Sequence, residues 1–115
     1  MISMLRVTKQ QAAQFRKEAE AMLARLGAVL VDPDRHYPYS LQTYAGELRI
    51  SIDDDSLMCR FEDVEKAKEE RYSRLYGLDD RLNPFSGKWN WHGLDCLPAF
   101  EQIVDGSLII HEETP

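Results

Sequence analysis

The sequence predicts an α+β fold: an antiparallel sheet of about four strands, a meander plus one later strand, with helices packed on one face. Three observations carry this expectation. Residues 8–26 repeat apolar side chains at three- and four-residue steps between a capping threonine and a glycine. Residues 38–61 hold three alternating runs separated by short polar turns. Residues 87–92 place Trp89 and Trp91 two positions apart, with Lys88, Asn90 and His92 between and beyond them.

The elements follow in order. Thr8 caps the first helix, predicted over 8–26, with Gln11 three residues on completing a capping box. Ala12, Phe15, Ala19, Met22, Leu23 and Leu26 form its inner stripe, and Gly27 stops it. A short apolar run, 28–31, ends at the turn signal Asp32-Pro33-Asp34. The first strand, 38–44, belongs to an alternating run with Tyr37, Tyr39, Leu41 and Thr43 on one face. The second, 47–53, turns Leu48, Ile50 and Ile52 inward, and the third, 57–61, turns Leu57, Cys59 and Phe61 inward. A second helix is predicted over 64–76, capped by Asp63 and ended by Gly77. After the Trp strand, Asp95 is expected to cap a third helix over 96–104, with Leu97, Phe100 and Ile103 inward. Residues 107–111 suit a last edge strand, and 112–115 a frayed tail.

At 115 residues the chain is expected to be one domain. It has no run long and apolar enough to span a bilayer and no apolar stretch of signal-peptide type at its start, so a cytoplasmic protein without membrane contact is expected. Two cysteines, Cys59 and Cys96, are too few for a disulfide framework. The net charge of −6 is uneven: residues 1–31 carry five bases against two acids, and residues 32–115 carry nine bases against eighteen acids. An acidic body repels phosphate backbones, so direct nucleic-acid binding is disfavoured. It suits a protein partner with a basic surface, or serves solubility alone.

Two motifs stand out once these elements are placed: Cys59-Arg60-Phe61-Glu62-Asp63, running from strand into helix, and Asn83-Pro84-Phe85-Ser86-Gly87-Lys88-Trp89-Asn90. With Gly46-Glu47-Leu48 upstream, they resemble a family of small uncharacterised accessory proteins encoded by phages and mobile elements, over roughly residues 41–92. The resemblance implies a genomic neighbourhood of accessory genes, where anti-defence inhibitors are frequent. It carries over no catalytic residue.

The residues with chemistry to offer are few. Trp89 and Trp91 suit either a core beneath the helices or an aromatic platform for a partner. Gly87-Lys88 is not a phosphate loop, because a tryptophan follows the lysine where a hydroxyl residue is needed. Ser86 lacks the flanks of a nucleophile elbow. His36, His92, Cys59 and Cys96 are zinc-ligand types without the close pairs of structural sites, so no metal and no cofactor are expected. Asp53-Asp54-Asp55 lacks the glycine and distal glutamate of a calcium loop and reads as a solvated turn able to meet a basic partner.

The face opposite the helices is expected to be open. It presents Ser40, Gln42, Tyr44, Arg49, Ser51, Asp53, Met58, Arg60, Lys88, Asn90 and His92, either as cross-strand pairs or as a recognition surface. The expectation is a non-enzymatic, phage-type accessory protein that binds and inhibits a larger host protein, with an anti-defence (anti-CRISPR-like) inhibitor as its specific version. Its contacts are assigned to Arg49, Asp53, Asp54, Asp55, Arg60, Lys88 and His92. Two alternatives stay open: a small enzyme with His92 as general base, and a nucleic-acid-binding module on the open face.

Overall fold

In the computed structural model, which describes residues 7–43, 46–65 and 87–105, a five-stranded antiparallel sheet carries two helices on one face. Helix α1, Lys9–Leu26, begins at Thr8, whose side chain accepts from the Gln11 amide while the Gln11 side chain accepts from the Thr8 amide. This reciprocal box satisfies two of the donors that a helix start leaves without partners. Gly27 ends the helix at φ 89°, a left-handed conformation that a Cβ disfavours.

The strands are β1 (Val29–Leu30), β2 (Tyr39–Thr43), β3 (Gly46–Asp53), β4 (Ser56–Phe61) and β5 (Lys88–His92), paired in chain order. The fifth strand, relative to the expected four, is β1. The two-residue stretch pairs Val29 with Ser40 and Leu30 with Tyr39, so the apolar run after α1 joins the sheet edge. Hairpin β3–β4 closes between Asp53 and Ser56, with Asp54 at φ 53°, a region Asp tolerates better than most residues.

Alternation sets the core. Leu48, Ile50, Leu57, Cys59, Trp89 and Trp91 are each 0% exposed, and Leu41, Ile52 and Phe61 share their face. Phe15, Ala19, Met22 and Leu23 of α1 and Cys96, Leu97 and Phe100 of α2 (Cys96–Ile103) cover it. Both tryptophans are therefore core and not a surface platform. Trp91 meets Phe100 edge-on at a centroid distance of 5.5 Å, and Trp89 stacks on Phe61 at 6.3 Å. Beyond the core, Arg25 forks onto Glu101 through two hydrogen bonds of 3.1 and 2.9 Å, joining the two helices.

Two local expectations are corrected. Asp95 makes no side-chain cap bond to α2; Cys96 and Leu97 donate their amides to the Gly93 and Leu94 carbonyls, so a backbone turn starts the helix. Tyr37 does not continue the inward face of β2. Pro38 precedes the strand, and the Tyr37 ring lies beside Arg60, on the polar face. The predicted helix over 64–76, beyond its first two residues, and the predicted strand over 107–111 with the tail 112–115 lie outside the described residues.

Candidate functional site: the polar sheet face and its acidic end

Strand register builds the polar face in rows. Ser40, Arg49, Arg60 and Lys88 form one row across β2 to β5; Ser51, Met58 and Asn90 form the next; Asp53, Ser56 and His92 form the third. Of the seven assigned contact residues, five thus fall into two rows, four residues apart along each strand: Arg49, Arg60 and Lys88 in the first, Asp53 and His92 in the third. Asp54 and Asp55 sit in the turn that ends the third.

The face is not open throughout. Arg49 is only 7% exposed, against the expectation of an accessible recognition side chain. The cause is the segment between β1 and β2, which folds over this face. Arg49 donates from Nη2 to the Tyr37 carbonyl at 2.6 Å and from Nε to the Tyr39 carbonyl at 3.3 Å. Its Nη1 lies 3.8 Å from Glu47 and 3.7 Å from Glu62. Glu47 in turn accepts from the Ser40 hydroxyl at 2.6 Å. A buried guanidinium is retained because carbonyls and carboxylates surround it.

Arg60 is partly exposed. It bonds Glu62 at 3.1 Å, and its guanidinium carbon stands 5.0 Å from the Tyr37 ring centre, within cation–π range. Lys88 and His92 are exposed on β5. Neither the buried tether of Arg49 nor the covering segment is legible from alternation, since period-two patterning says which face a residue takes and not what crosses over it.

At the far row, Ser56 Oγ and His92 Nδ1 are 2.8 Å apart. The imidazole therefore engages a hydroxyl, and among the described residues its other nitrogen has no carboxylate partner to orient it as a base. Also among the described residues, no three His, Cys, Asp or Glu side chains are grouped to hold a metal ion. Burial pushes the Cys59 thiol well above its ordinary pKa, and neighbouring Cys96 adds to the shift, so this sulfur stays protonated and unreactive.

The register also shows what the sequence reading missed. Leu30 pairs with Tyr39 and Tyr39 with Ile50, while the Val31 and Asp32 amides both reach the Pro38 carbonyl. The turn holding Asp32 and Asp34 therefore leaves the sheet at the same end as Asp53, Asp54 and Asp55, with β2 between the two strands that carry them. Next to it run Val29, Leu30 and Val31, exposed at 58, 52 and 51%. The Asp32-Pro33-Asp34 turn was visible in the sequence; its juxtaposition with the second acidic turn needed the pairing of β1.

No helix among the described residues is long and apolar enough to cross a membrane. Compared with family models, with curated proteins and with solved structures, the chain matches none.

Proposed function

We propose that this protein is a non-enzymatic accessory protein of phage type, acting in the cytoplasm by occupying a basic surface on a larger host protein. An anti-defence inhibitor is its most specific form. The observation that carries the reading is the pairing of two acidic turns at one sheet end beside three consecutive exposed apolar residues. Five aspartates steer a basic partner and set its orientation, and the Val29–Val31 edge offers apolar area to bury. Asp53 and Asp54 are exposed, as a contact role requires. His92 shares the row of Asp53, whereas Lys88, Arg49 and Arg60 lie four residues along the sheet in the row of Ser40.

The Ser56–His92 hydrogen bond favours the competing enzyme reading, in which His92 accepts a proton. One experiment separates the two. The partner is captured from host lysate with the tagged full chain and identified by mass spectrometry, and variants are then compared for affinity and for effect on that partner. Reversal of Asp53, Asp54 and Asp55 to Lys is expected to weaken binding at least about tenfold, roughly 1.4 kcal/mol. His92→Ala is expected to change it far less. Full loss of effect in His92→Ala, with the charge-reversed protein unimpaired, overturns the binding reading.

A further inference from the structure

Beneath the segment that crosses the polar face lies a cavity of about 240 Å³, lined by Arg35, His36, Tyr37, Arg49 and Arg60. Its lining is cationic in a protein whose net charge is −6. Three arginines line it; Glu47 and Glu62 lie against Arg49 and Arg60, and Asp32 and Asp34 sit beside Arg35 in its turn without lining the cavity. Arg49 is held rigid by two backbone carbonyls and is more than nine-tenths buried. Arg60 is placed by Glu62 and by the Tyr37 ring, and its Nε is buried with no hydrogen-bond partner among the described residues. Arg35 is exposed at the rim, and its guanidinium likewise has no partner among the described residues.

Such an arrangement is built for an anion. We propose that this cavity binds a phosphoryl group, as free phosphate or as the terminal group of a phosphomonoester. Two features select this class. The positive groups come from three separate arginines on a strand pair and a crossing segment, converging from several directions, which suits a tetrahedral oxyanion with acceptors on every side. A single carboxylate offers two coplanar oxygens and is served by one fork. The volume lies below the roughly 300 Å³ at which pockets begin to enclose drug-sized ligands, so the cavity takes the charged group and leaves any larger body outside. Arg60, whose Nε has no partner among the described residues, and Arg35 supply the donors to the phosphoryl oxygens, and Arg49, held by Tyr37 and Tyr39, adds fixed positive charge beneath them. The site adjoins the acidic turn, since the Arg35 amide bonds the Asp32 carbonyl, but uses none of its carboxylates.

The test is a titration of the full chain at low ionic strength with inorganic phosphate, with adenosine monophosphate and with acetate, followed by calorimetry and amide NMR shifts. Phosphate is expected to bind saturably at one site, with shifts centred on residues 35–37, 49 and 60. Arg35→Ala, a rim change that leaves the fold alone, is expected to weaken it about tenfold, and Arg60→Gln at least as much. Lys9→Ala, on the outer face of α1, is expected to change nothing. Equal affinity for phosphate and the nucleotide supports a site for the group alone, and tighter nucleotide binding supports a phosphomonoester ligand. Acetate binding as tight as phosphate overturns the proposal. So does failure to saturate by about 20 mM phosphate, or equal weakening by Lys9→Ala, which marks diffuse charge attraction.

Discussion

The Arg49 guanidinium donates to the carbonyl of Tyr37 at 2.6 Å and thereby ties the segment before β2 onto the polar face of the sheet. A charged group this deeply covered is stable only while its hydrogen bonds last. Arg49→Met keeps the apolar stem and removes the donors, leaving the Tyr37 and Tyr39 carbonyls without their hydrogen bonds and Glu47 without this cation, while Glu62 keeps Arg60. The expected loss is about 2–3 kcal/mol, with Tm lower by roughly 10 °C. Thermal unfolding checks it, and a change under about half a kcal/mol shows that water replaces the tether.

Ile50 occupies the centre of the middle strand, pairing with Tyr39 on one side and Cys59 on the other, and is fully buried. Ile50→Ala leaves a cavity under α1 and is expected to destabilise the protein by roughly 2–5 kcal/mol in urea unfolding. The neighbouring exposed change Gln42→Ala is expected to stay within about half a kcal/mol. Equal effects from the two contradict the burial pattern.

Glu101 titrates below its ordinary value, chiefly because Arg25 hydrogen-bonds its carboxylate, an effect partly opposed by burial. The unfolded carboxyl titrates near about 4.3, so the pair's contribution is complete above that pH and is lost as pH falls through the lower folded value. Being exposed, the pair contributes little in absolute terms. Wild type is therefore expected to exceed Glu101→Gln in stability slightly at neutral pH in low salt, and the difference to shrink as the pH falls below the unfolded carboxyl's value. A difference that grows on acidification contradicts the assignment.

Much of the fold is legible in local chemistry. The capping box at Thr8 and Gln11, the stop at Gly27 and the alternation of Leu48, Ile50 and Ile52 each act within a few residues, where spacing alone sets geometry. The Trp strand is legible for the same reason, since two large apolar groups two residues apart must share one face. The failures are where a second segment intervenes. Asp95 has the side chain of a cap, yet the turn at Gly93 and Leu94 starts α2 by backbone bonds. Tyr37 fits the alternation of β2, yet Pro38 separates it from the ladder and its ring crosses to Arg60.

By itself, then, the sequence determined which residues form α1 and the four long strands, and which side of each strand faces the core. Those outcomes depend on periodicity and on the solvation of each side chain, which are local properties. The tertiary structure decided which residues the polar face brings together. Only the pairing of β1 with β2 brings the Asp32 and Asp34 turn to the same end of the sheet as Asp53–Asp55. Only the return of residues 35–37 over the sheet buries Arg49 and gathers three arginines around one cavity. Both are long-range placements, fixed by the balance of packing, hydrogen bonding and chain closure over the whole domain, which no short window of sequence contains.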